Sequence, residues 1–64
     1  MSESENLALR AQILRSVVED ALRKARALRK KAEALEKEGD RLRAAAARDL
    51  AEYLEGAAAE FKGA

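Results

Sequence analysis

Two pairs of carboxylates stand at helical spacing, Glu33 with Glu36 and Glu52 with Glu55. Each i,i+3 pair would share one face of a helix. Such a face could hold a cation, but carboxylate metal sites in helical bundles normally add histidines from a Glu-x-x-His pattern. This chain has no histidine and no cysteine, so the commonest metal ligands and the usual general base near neutral pH are both missing. The pairs read instead as a solvated charged face able to meet Arg48, Arg29 or Lys37. Ser16, between Arg15 and Val17, has no base to activate it. Gly39, Gly56 and Gly63 are isolated and form no phosphate-cradling loop. Tyr53 and Phe61 are the only rings; eight residues apart, they fall on roughly one side of a helix and read as core or interface residues. The expectation is a protein that is not an enzyme, with no catalytic, metal or cofactor-binding residues, no cofactor and no small-molecule substrate.

One block could serve recognition. Residues 23–31 carry Arg23, Lys24, Arg26, Arg29, Lys30 and Lys31 and no acid. Clustered cations on a helix can follow a phosphate backbone. Here Arg23, Arg26 and Lys30 make one stripe while Lys24 and Lys31 make another. Glu19 and Asp20 stand four residues before Arg23 and Lys24, Glu33 stands four after Arg29, and the formal net charge is only +1. A solvated face or cross-helix ion pairs is the favoured reading, with nucleic-acid binding through 23–31 as the alternative. A membrane partner is not expected: no run of about 18 apolar residues exists, and the block lacks a bulky apolar face with interfacial aromatics.

The elements carrying these residues are helices. Ala, Glu, Lys, Leu and Arg make 47 of the 64 residues, a composition typical of long helices. Pro and Thr are absent, and Ile13, Val17 and Val18 are the only β-branched residues, which disfavours strands. Ser2 or Ser4 can cap a first helix whose opening turn carries Glu3 and Glu5. From there an apolar stripe runs Leu7, Ala11, Leu14, Val18, Ala21, Ala25, Leu28, Ala32, Leu35 in alternating steps of four and three, a heptad seam. Leu9, Ile13, Val17 and Leu22 flank it, so Leu7–Leu22 carries more apolar surface than one partner helix would cover.

Glu38-Gly39-Asp40 decides the architecture. Glycine is the preferred residue just past a helix end and aspartate a preferred N-cap, so the chain reads as a helical hairpin with arms of about 3–38 and 41–62. The alternative is one continuous helix of about 90 Å in a coiled coil, in which Glu38–Arg41 and Asp40–Arg43 would pair. The charge blocks favour the hairpin. Residues 33–40 net −3, 41–48 net +3 and 49–60 net −4, so folding back lays each block, and the basic 23–31, against one of opposite sign. In the second arm Ala46, Leu50, Leu54, Ala57 and Phe61 step close to 3.67 residues per turn, with Asp49 marking a shifted seam and Gly56 suggesting close approach of another backbone or a fraying end. That shorter arm reaches back to about residue 17, leaving Leu7, Leu9, Ile13 and Leu14 projecting and uncovered.

No natural family's motif stands in the chain. The five absent residue types, the Ala/Leu seams, the Glu/Lys/Arg surfaces and the Gly39-Asp40 connector resemble those of de novo designed helical bundles and coiled coils. The stretch from Ala8-Leu9 through Ile13-Leu14-Arg15-Ser16 faintly resembles Rop-type hairpin dimers, although their arms are nearly equal. The first resemblance implies a protein whose purpose is the fold or assembly itself; the second, to proteins that bind paired RNA loops, implies only the architecture of paired hairpins and carries over no RNA-contacting residue. A single helical oligomerisation domain over 1–64 is therefore expected, all-α. Its partner is a second copy, as a dimer or larger homo-oligomer; the alternative is a hairpin that binds another protein through the basic segment 23–31 or the apolar face 7–22. The interface is Leu7, Leu9, Ile13, Leu14, Val17, Val18 and Leu22. The assembly drivers are Leu7, Leu14, Val18, Leu28 and Leu35 with Leu42, Leu50, Leu54 and Phe61. The acidic, polar start, Met1 to Asn6, is unlike a signal peptide, which places the chain in the cytoplasm or among recombinant or synthetic products.

Overall fold

A computed structural model describes residues 2–63; Met1 and Ala64, the ends of the expected domain, lie outside them. Two α-helices, α1 (Glu3–Lys37) and α2 (Arg41–Gly63), pack against each other as a hairpin. The start of α1 is fixed by Ser2: its hydroxyl accepts from the Glu5 amide at 3.2 Å while the Glu5 carboxylate reaches back to the Ser2 amide at 3.4 Å. This reciprocal capping box satisfies two amide groups that the first turn leaves without helical partners.

Gly39 breaks the helix. It sits at φ +84°, a left-handed conformation that costs other L-residues roughly 1–2 kcal/mol. The Gly39 amide donates to the Glu36 carbonyl at 3.0 Å and the Asp40 amide to the Leu35 carbonyl at 2.9 Å, which closes α1 as a Schellman motif. Asp40 then opens α2, its carboxylate accepting from the Arg43 amide at 3.1 Å. The two residues that end one helix therefore begin the next. The Asp40–Arg43 pair expected of a continuous helix forms here too, at 3.5 Å, across the first turn of α2.

The core is small. Among the described residues the buried set is Val18, Ala25 and Ala32 from α1 with Ala44, Ala47, Ala51 and Ala58 from α2. Leu14, Ala21, Leu28 and Leu35 are half-buried beside them, so the α1 seam from Leu14 to Leu35 is the one its spacing indicates. The α2 seam differs from expectation. Its contact line is Ala44, Ala47, Ala51, the half-buried Leu54, and Ala58. That is an unbroken heptad alternation with no shift at Asp49. Ala46, Leu50 and Phe61 are exposed, as is Leu42 at 86%. The physical reason is size: alanine against alanine lets the two helices approach closely, and bulkier side chains are displaced to the sides of the contact. Gly56 has no atom within 4 Å of where a Cβ would stand, so no second backbone in the chain accounts for it.

At 1.5 Å per residue the 35 residues of α1 span about 52 Å and the 23 of α2 about 35 Å. The molecule measures 55 Å along its longest axis, so α1 sets its length and overhangs α2 by several turns. Every described residue from Ser2 to Ile13 is exposed, and Val18 is the first buried one.

Candidate interface: an ionic flank, an apolar flank and an overhang

Side chains adjacent to the seam fall on two flanks. On the first, Arg29 grips Glu55 with two parallel bonds, Nε to Oε2 at 2.9 Å and Nη2 to Oε1 at 2.6 Å. One heptad nearer the turn, Arg48 Nη2 lies 2.7 Å from Glu36 Oε2. A forked guanidinium on a carboxylate is the most directional of ion pairs. Arg29 is thus drawn across the hairpin and away from Glu33. The hydrogen bonds from Arg29 and Arg48, and then their charges, hold the Glu55 and Glu36 carboxyls below the usual glutamate range. Both carboxylate pairs singled out at helical spacing thus contribute one member to a cross-hairpin ion pair. No group of three or more carboxylates capable of holding a metal ion occurs among the described residues.

The second flank is apolar. Leu28, Leu35, Ala46, Ala47 and Leu50 line a shallow groove along it, rimmed by Lys31 and Arg43, and Ala27, Leu28 and Leu54 continue it toward Lys24. Seven-residue steps lead back from Lys31 and Lys24 to Val17, and from Ala27 through Asp20 to Ile13, so the overhang extends the same flank. Ile13 is 65% exposed, and Leu7, Leu9 and Val17 are exposed with it.

The seven residues expected to form an interface therefore separate. Leu7, Leu9 and Ile13 are exposed on the overhang, and Val17 is exposed at its base. Val18, 5% exposed, belongs to the intrachain seam, with Leu14 half-buried next to it. Leu14 is not free of α2 as the arm lengths suggested: it lines a cleft with Phe61, Val18 and Leu22 where α2 ends, rimmed by Arg15, Glu19 and Lys62. Leu22 lies seven residues before Arg29 and so on the ionic side. Leu28, Leu35, Leu50 and Leu54, expected among the assembly drivers, border the apolar groove, and it is the position of that groove on one side of the seam that emerges only in the structure. The available signal was that Leu50 precedes Ala51, which becomes informative once Ala44-Ala47-Ala51 is taken as the contact line.

Of the basic block, Arg29 is bound to Glu55 and Arg23 to Asp20 at 3.1 Å. Lys24, Arg26, Lys30 and Lys31 are exposed and make no ion pair among the described residues. No helix among the described residues is long and apolar enough to cross a membrane. The accessible surface is 5301 Å², whereas a compact folded monomer of 7.0 kDa exposes about 4,000 Å². No family model, curated protein or solved structure matches the chain.

Proposed function

We propose that the protein is a structural module that assembles with copies of itself into a helical bundle. The observation that carries this reading is the overhang: Leu7, Leu9 and Ile13 stand exposed on the stretch of α1 that α2 does not cover, with Val17 exposed at its base. Contiguous apolar surface of this kind marks an interaction site. The core adds to the case. Six of its seven buried residues are alanines, each removing a single methyl from water at about 0.8 kcal/mol per carbon, while ordering each residue of the chain costs roughly 1–2 kcal/mol. A hairpin with so little buried gains stability by association. The likeness to designed bundles, where assembly is itself the purpose, agrees with this reading. Replacing Leu9 and Ile13 together with Asp tests it, because neither side chain is in the core and the hairpin should keep its helicity. The expected result is loss of the oligomer in light scattering; an unchanged oligomer mass would remove the overhang from the interface.

The four unpaired cations of 23–31 favour a second reading, an electrostatic contact with nucleic acid. That reading requires low-salt retention of mixed DNA or RNA, abolished by reversing Arg26 and Lys30. Absence of retention at low salt disposes of it.

A further inference from the structure

We infer that the interface with the second copy runs along the whole apolar flank, with two hairpins packed side by side into a four-helix dimer, and is not confined to the overhang. The inference rests on the self-assembly reading and concerns where that assembly is made. Its support is area. The chain exposes about 1,300 Å² more than a compact monomer of its mass, so two copies that covered this excess would bury roughly 2,600 Å² in total, within the range of obligate dimers. The overhang is only about the first third of α1 and is too short to supply that area. The excess needs a contact along the shaft, and the apolar groove of Leu28, Leu35 and Leu50 supplies it. The ionic flank does not, since desolvating Arg29–Glu55 and Glu36–Arg48 would cost more than their mutual attraction returns.

Leu50→Lys tests the inference by light scattering with helicity followed in parallel. Leu50 is 54% exposed and outside the seam, so the hairpin should persist while the mass falls to that of one chain. Ala46→Glu, at an exposed position in the same groove, is the second variant and should do the same. Leu42→Lys, off the flank, should leave the oligomer intact. If the groove variants keep the oligomer and only Leu9→Asp with Ile13→Asp dissolves it, the interface is confined to the overhang and this inference is wrong while self-assembly stands. Loss of the oligomer in Leu42→Lys as well would overturn it too, by showing no preference for the flank. A wild-type chain that is monomeric at high concentration would overturn both.

Discussion

On one side of the alanine seam, Arg29 and Arg48 reach across to Glu55 and Glu36; on the other, Leu28, Leu35, Leu50 and Leu54 line an open groove between lysine stems. Both flanks border the same contact line, so the difference lies in what each leaves for solvent. The ionic flank is complete within one chain. Its carboxylates and guanidiniums satisfy one another while remaining hydrated, and ion pairs at such exposure contribute little energy. Their geometry matters more, since two arginine–glutamate contacts one heptad apart fix how far α2 slides along α1. The apolar flank is incomplete. Close approach at the alanines leaves Leu28, Leu35 and Leu54 only half-buried and Leu50 exposed. One flank sets register, and the other offers surface.

The comparison breaks most severely at the seam on which both flanks depend. Ala51→Leu, at a fully buried position, should force the helices apart and destabilise the hairpin by about 1–3 kcal/mol, read as a lower urea midpoint. An unchanged midpoint would mean the helices are not held at alanine distance. Next comes the turn that folds the flanks together. Gly39→Ala meets no atom but must adopt the positive φ, at about 1–2 kcal/mol; thermal melting checks this. At Gly56 the expected sign is opposite. Alanine there should stabilise by about 0.5–1 kcal/mol, because the position is helical, exposed and uncrowded.

How far these features could be read from the sequence differs between the two helices. In α1 the seam from Leu14 to Leu35 was legible because leucine alternates with alanine against charged neighbours. The turn at Gly39-Asp40 was legible from cap chemistry, and the charge blocks implied the cross-hairpin pairing that Arg29–Glu55 and Glu36–Arg48 realise. In α2 the run Ala44 to Ala47 hides its own register. Four consecutive alanines fit any face, so the bulkier Leu50 and Phe61 suggested the wrong stripe. The division of the Leu7–Leu22 surface was hidden for a related reason. The heptad spacing already set Val18 in the seam with Val17 beside it, but only the position of α2 shows that the first is spent on the core while the second stays in solvent.

Smaller effects sharpen the ionic side. Arg29→Glu and Glu55→Arg should each lower the melting temperature and should largely compensate when combined. Failure of the double exchange to recover would show that the pair does not set register. Acid should act on the same flank. Because the Glu36 and Glu55 carboxyls are held below their ordinary value, their stabilisation is present above the unfolded-state pKa of about 4.3 and is lost as pH falls through the lower folded values. The hairpin's melting temperature should therefore fall below about pH 4, and Glu36→Gln with Glu55→Gln should flatten that decline. The apolar flank contains no such pair and should respond to its own substitutions equally at either pH.

The most direct test of the central claim is the solution mass of the wild-type chain, measured by light scattering from low to high micromolar concentration. The account predicts a dimer of helical hairpins that dissociates on dilution with loss of thermal stability. A helical monomer of unchanging mass and stability across the whole range would contradict it, and would mean that an alanine seam and two ion pairs suffice to hold the hairpin alone.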